Sequence, residues 1–248
     1  MAALTLLSTD KLERSFGGLR AVREVDFELR QGEIHALIGP NGAGKTTFVN
    51  LLSGRTRADA GRIHYRGRDI TGLPAYKRVR CGIAYTFQIT SIYPNLSVYE
   101  NVAIAIQGSD KFKVSDKTAE AGFCNAVLSV LGRVGIEERA RDKAGNLAYG
   151  HQRLLEVAMG VALEPTLFIL DEPTQGLSDS EIDGFCELII KIGESATILL
   201  IEHNMAVVMA LADTITVLHQ GAVLAAGSPQ SIRKDARVQA AYLGSGLT

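Results

Sequence analysis

The chain has 248 residues, 46% hydrophobic and 21% charged, with a formal net charge of -1, enough for one large α/β domain or two small ones around a buried core. That balance gives no field to draw nucleic acid or an anionic membrane, and no apolar run approaches the roughly 18 residues of a membrane-spanning helix. The apolar opening from Ala2 to Leu7 lacks the basic stretch of a signal peptide, and three cysteines, Cys81, Cys124 and Cys186, are scattered without metal spacing, so the expectation is a soluble intracellular protein whose membrane work goes through a partner.

The first third reads as strands. Val25 to Arg30 alternates apolar and polar residues, as a half-buried strand does, and Gln31-Gly32 turns the chain. Ile34 to Ile38 is a short apolar strand that runs into a glycine-rich loop, and Thr46 to Ser53 continues as a helix that Gly54 can end. A further β segment, Ile63 to Tyr65, lies between the turn signals Asp59-Ala60-Gly61 and Arg66 to Asp69. From Ser91 to Asn146 the texture is helical, with Ser97 a cap before Val98 and a polar loop at Lys111 to Lys117. The remainder alternates strand and helix: Thr166–Leu170, Asp179–Ile192, Thr197–Ile201, Met205–Ala212 and Ile215–Leu218. Such alternation predicts a mostly parallel sheet covered by helices.

Two motifs carry chemistry. Gly39-Pro40-Asn41-Gly42-Ala43-Gly44-Lys45-Thr46, followed by Thr47, fits G-x-x-x-x-G-K-[ST] in full. Its glycines let backbone N–H groups wrap phosphates, the next helix offers its positive end, Lys45 neutralises the outer phosphates and Thr46 holds Mg²⁺. The dinucleotide fingerprint fails on spacing, because the glycines here run G-x-x-G-x-G. Leu167 to Leu170 is an apolar strand ending in Asp171-Glu172. Combined with the loop it reads as a Walker B motif, Asp171 in the Mg²⁺ sphere and Glu172 polarising the attacking water. The five histidines show no zinc spacing.

Asp171-Glu172-Pro173-Thr174, with Gln88 before it and His203 after it, resembles the ATPase domain of ABC proteins, and the match covers essentially the whole chain. The resemblance makes Gln88 the glutamine that contacts Mg²⁺ and senses the membrane subunit. It makes His203 the switch histidine at the γ-phosphate. Leu147-Ala148-Tyr149-Gly150-His151 falls at the family's signature, ahead of an amphipathic helix that begins near Arg153. There the family closes over ATP held by the opposite subunit. Ala148 replaces the usual serine, Tyr149 the first glycine and His151 the glutamine, while Ser178 stands where many relatives have aspartate. Tyr149 or His151 either supplies the missing donor or leaves the site one hydroxyl short. Phe16 stands at the place of an aromatic that stacks on adenine, and a core phenylalanine is the other reading.

Finer resemblance points to branched-chain (hydrophobic) amino acid importers and their urea and amide relatives, on Phe16-Gly17-Gly18-Leu19, Leu147 to Gly150, Ile201-Glu202-His203 and Ala241-Tyr242-Leu243-Gly244. It implies an α/β, RecA-like P-loop NTPase core (1–90 and 151–248) with an antiparallel β subdomain and a helical insertion (91–150), in one domain. It also implies ATP and Mg²⁺ as cofactors and ATP hydrolysis coupled to transport. The partners would be integral-membrane permease subunits, a second ATPase subunit and, indirectly, a periplasmic or extracellular solute-binding protein, with no nucleic acid. The location would be cytoplasmic, peripheral on the inner face of the bacterial membrane. Exposed Ile92 and Tyr93 would meet the permease. Two competing classes fit less well. A soluble ABC ATPase of DNA repair would carry long coiled-coil insertions, and a small-molecule kinase leaves Gln88, Gly150 and His203 without roles.

Overall fold

In the computed structural model, which describes residues 4–86, 91–108 and 117–243, the chain opens on a long hairpin of β1 (Thr5–Phe16) and β2 (Leu19–Arg30). Together with β4 (Ala60–Tyr65) and β5 (Arg68–Asp69) it forms an antiparallel sheet in the order β2-β1-β4-β5. The alternation expected of Val25–Arg30 is observed, with Val25, Phe27 and Leu29 buried and their neighbours exposed. The expected turn before β4 is shorter than its residues suggest, because Ala60 and Gly61 already pair with β1 through the strand. Asp59 closes it, accepting from the Ser15 N–H at 2.7 Å and from Arg14 at 2.6 Å.

The second sheet has the order β10-β9-β3-β8-β7-β6, from β3 (Ile34–Ile38), β6 (Ile83–Tyr85), β7 (Leu167–Asp171), β8 (Thr197–Ile201), β9 (Thr214–His219) and β10 (Ala222–Gly227). Its five strands β9 to β6 run parallel and β10 is antiparallel at the edge. Every residue of β7 and β8 is buried, as parallel strands covered on both faces require. Their alternate residues feed two cores. Phe168, Leu170, Ile198 and Leu200 pack on the helical side, while Ile169, Leu199 and Ile201 face α1 (Lys45–Ser53) and the antiparallel sheet. The P-loop helix is thus sandwiched between the two sheets.

The helical side is built from α3 (Val98–Gly108), α4 (Lys117–Arg133), α5 (Tyr149–Val161) and α6 (Asp179–Gly193). Ser97 caps α3 as expected: its hydroxyl accepts from the Glu100 N–H while the Glu100 carboxylate accepts from the Ser97 N–H at 2.7 Å. Of the expected polar loop Lys111–Lys117, all but Lys117 lies outside the described residues, and Lys117 begins α4. α2 (Ala75–Arg80) carries a buried arginine whose partners are all carbonyls. Arg78 donates to Leu51 and Leu52 at 2.7 Å each, and to Thr71 and Leu73. The cation therefore closes the C-terminal end of α1, where helix carbonyls lack partners of their own. Burial holds its guanidinium down to about 10, against the pull of Asp69. No helix among the described residues is long and apolar enough to cross a membrane.

Candidate functional site

The register brings the chemistry to one edge of the sheet. Asp171 pairs with Ile201, and Ile201 with Leu37, so β7, β8 and β3 end level and their following residues leave at the same carboxyl edge, where open parallel sheets hold ligands. From β3 emerges the loop Gly39 to Gly44. Gly44 precedes α1 at φ 98, and a Cβ there would collide with the Ala21 carbonyl oxygen. The Lys45 ammonium is buried and donates to the carbonyl oxygens of Gly39 at 2.6 Å and Pro40 at 3.2 Å. Burial lowers its pKa, and the nearby carboxylates of Glu172 and Asp171 raise it.

A cleft of about 670 Å³ opens over this loop, lined by Asn41 to Thr47, by Glu172 and by Phe16 and Leu19 at the hairpin tip. Phe16 is 48% exposed, which removes the core reading. One ring face carries the Arg14 guanidinium, 4.6 Å from the centroid. Pro40 does not line this cleft but a neighbouring one, with Arg237 and Ala241.

Asp171 ends β7 with 2% exposure and accepts a hydrogen bond from the Tyr85 hydroxyl at 2.7 Å. Burial pushes its carboxyl above the ordinary carboxylate range, against the Tyr85 bond, and the Tyr85 phenol is pushed far up by burial and by that carboxylate. Glu172 leaves the strand at φ 48, a left-handed backbone that a non-glycine residue adopts only when its surroundings impose it. Here the Glu172 N–H donates to Ile201 O at 2.9 Å. His203, 58% exposed, places Nδ1 3.9 Å from Glu172 Oε1. Thr46, Asp171, Glu172, His203 and Lys45 thus gather at one mouth. Gln88 lies outside the described residues. Among these residues no group of three or more His, Cys, Asp or Glu could hold a metal alone. That donor set suits Mg²⁺ brought with phosphate ligands, which takes one or two carboxylates from the protein, and the buried Asp171, with Thr46 on the cleft wall, fits it.

The helix after the signature begins at Tyr149, not near Arg153, so Tyr149, Gly150 and His151 form its first turn, and Ala148, its N-cap, makes no side-chain cap bond. Tyr149 lies against Gly176, where an added Cβ would sit 2.9 Å from its ring, and its hydroxyl accepts from Arg153 Nε at 3.1 Å. A Cβ on Gly150 would strike the Glu181 carboxylate, itself bound at 2.6 Å by the Ser178 hydroxyl in the capping box that starts α6. His151 faces an apolar groove of about 300 Å³ between α5 and α6. The Tyr149 hydroxyl thus already accepts one bond within its own chain, while His151 lines the groove.

Residues 22–175 match the family described as ABC transporter, and residues 222–247 match the one described as branched-chain amino acid ATP-binding cassette transporter. The chain is an ATP-binding cassette protein. It is 41% identical to the high-affinity branched-chain amino acid transport ATP-binding protein LivG of Salmonella typhimurium, over 96% of this chain and 98% of that one. It is 38% identical to BraF of Pseudomonas aeruginosa over the same shares. A nucleotide-free ATP-binding cassette from an ABC transporter superposes with a TM-score of 0.84 at 24% identity, covering 96% and 99% of the two chains. An ATP-binding subunit of an ABC transporter, 26% identical, gives 0.80 over 97% and 99%.

The cassette also holds residues that the sequence reading did not single out. Glu202 is fully buried, and its carboxylate accepts from the Thr174 N–H and hydroxyl and from the N–H groups of His203 and Asn204, at 2.6 to 3.2 Å. It ties the turn that carries His203 to the segment following Glu172. The signal was an acid directly after an apolar strand. In α5, Arg153 and Glu156 form a buried ion pair at 3.0 Å. Glu202→Gln exchanges a charged acceptor for an amide that must turn its NH₂ toward two donors in place of an accepting oxygen. We expect about a tenfold loss of ATPase rate and a lower melting temperature, since bonds to charged groups contribute about 1.5–3 kcal/mol. Unchanged turnover in the variant would show that the tie is dispensable.

Ile92 is partly buried against the helical core, so it is not the free docking residue expected. Tyr93 is exposed, with its backbone held on both sides by the Asn101 amide.

Proposed function

We propose that this cassette is the ATP-hydrolysing subunit of an importer for branched-chain or related hydrophobic amino acids, acting on a membrane permease at the inner face of the membrane. The observation that carries this is the joint match of both ends of the chain: an ABC cassette over 22–175 and a branched-chain amino acid cassette ending over 222–247. In this reading Asn41 to Thr47 cradle the phosphates with backbone N–H groups, while Lys45 exchanges its two carbonyl partners for phosphate oxygens. Thr46 and Asp171, with Gln88, would hold Mg²⁺, which supplies charge neutralisation at the phosphates when bound. Glu172 orients and polarises the attacking water, His203 contacts the γ-phosphate, and Phe16 stacks on the base with its free face.

The same reading divides the chain into a core and a helical insertion over 91–150 and pairs it with a second ATPase subunit, each ATP lying between one P-loop and the opposite signature. Exposed Tyr93, at the start of that insertion, belongs to the surface offered to the permease. The test is reconstitution with the permease and partner ATPase into vesicles, with radiolabelled leucine, isoleucine and valine outside and binding protein added. ATP-dependent uptake is expected. Uptake of an unrelated solute alone would reject the substrate class, and failure to co-purify with a multi-spanning membrane protein would reject the transporter assignment.

A further inference from the structure

Two neighbouring residues at the end of β6 hold Asp171. Tyr85 pairs with Ile169 across the parallel ladder, so its side chain shares the face of the sheet that carries Ile169 and, two residues on, Asp171. That face packs on the core beneath α1, and Tyr85 is half-buried against it. From there its hydroxyl reaches the next position on the same face of β7 and donates to Asp171 Oδ2 at 2.7 Å. The Arg55 guanidinium, from the chain just after α1, lies over the Tyr85 ring, 5.5 Å from its centroid. Thr86 holds the backbone: its N–H donates to Ile169 O at 2.9 Å, and its hydroxyl accepts from the Asp171 N–H at 3.4 Å. Among the described residues, the Tyr85 hydroxyl is the one side-chain donor to this carboxylate, and it meets a single oxygen.

We propose that Tyr85 is a positioning residue for the metal site and sets its selectivity: by holding Oδ2 of Asp171, it presents the carboxylate to the ion through Oδ1 alone. This rests on the reading of Asp171 as a Mg²⁺ ligand. Mg²⁺ demands near-ideal octahedral geometry, whereas the looser sphere of Ca²⁺ takes a carboxylate through one oxygen or both. A hydroxyl held on one oxygen leaves Mg²⁺ its single contact and denies Ca²⁺ a second. The same bond fixes the carboxylate before the ion arrives, so the site binds without first being ordered. The phosphate cradle and Lys45 follow β3 and not β6, so ATP without metal binds as before. The signature of the role is a change in metal preference with metal-free affinity retained.

The test measures ATP affinity of the full-length chain by calorimetric titration at saturating Mg²⁺, at saturating Ca²⁺ and in EDTA. Tyr85→Phe deletes only the hydroxyl, and Ile83→Val loosens the same strand at a buried position that does not touch Asp171. The wild type is expected to bind ATP more tightly with Mg²⁺ than with Ca²⁺. Tyr85→Phe is expected to lower that ratio about three- to tenfold, the loss of one hydrogen bond, with the affinity in EDTA unchanged. Ile83→Val is expected to lower the melting temperature and keep the ratio. An unchanged ratio in Tyr85→Phe would overturn the proposal. So would an equal fall in both variants, or an equal loss with and without metal, since looser packing would then explain it. A wild-type chain that binds ATP equally well with either ion, and more tightly than in EDTA, would also overturn it, even were Tyr85→Phe not to fold. A wild-type chain with the same affinity in Mg²⁺ as in EDTA would instead reject the metal reading beneath it.

Discussion

Glu172→Gln is expected to slow ATP hydrolysis by the assembled transporter about 10²–10⁴-fold, the usual contribution of a positioned general base, while ATP binding survives. The side chain sits at the cleft mouth at the end of β7, held at φ 48 by its backbone bond to Ile201. An amide keeps the size and one acceptor but cannot take up the water's proton. ATP should then stay trapped between closed subunits, visible as nucleotide retained through gel filtration. Wild-type turnover in this variant would remove Glu172 from the catalytic role. The partner's corresponding glutamate should matter less. On the proposed reading the site that it serves would be closed by this chain's Ala148, Tyr149 and Gly150, with Tyr149 held on its own Gly176 and no serine hydroxyl to offer.

Lys45→Ala is expected to weaken ATP binding about a hundredfold or more. The ammonium is buried, faces the phosphate cradle and makes two bonds to carbonyl oxygens that phosphate oxygens would replace. Each charge-assisted bond contributes about 1.5–3 kcal/mol, and about 1.4 kcal/mol is a factor of ten. The variant also removes the cation that Asp171 and Glu172 face, whose pKa their carboxylates raise, so their repulsion toward an incoming polyphosphate is no longer offset. Calorimetric titration of the isolated chain measures this directly. Affinity within threefold of wild type would move the main phosphate contact elsewhere.

The P-loop and Asp171-Glu172 were legible because their chemistry demands contiguous residues at fixed spacing, and a strand-loop-helix context surrounds them. Phe16 was ambiguous because its exposure depends on the hairpin turn and not on its neighbours in sequence. β1 was read only as part of a strand-rich first third and not bounded, because Lys11, at φ 43, and the register shift after Asp10 break the alternation of a regular strand. The start of α5 was read too late because Ala148 is no cap and Gly150 is a poor helix former. Gly150 is there for its close approach to Glu181, a tertiary reason. Glu202 and Arg78 share another cause: each meets a buried charge partly through groups distant in sequence, Thr174 for Glu202 and the Leu51 and Leu52 carbonyls for Arg78, a demand no local pattern encodes.

One face of the Phe16 ring is already taken by Arg14, which is itself paired to Asp59 at 2.6 Å. What remains for a nucleotide is a single flat surface at the hairpin tip, and on the proposed reading the base is met there by its face and not by its hydrogen-bonding edge. Every base has such a face, and stacking supplies about 1–3 kcal/mol with little regard for identity. Guanine in place of adenine would then shift that energy by only a fraction. Such a surface measures the breadth of its guest but does not spell its name, so the choice of fuel passes from the pocket to the composition of the nucleotide pool.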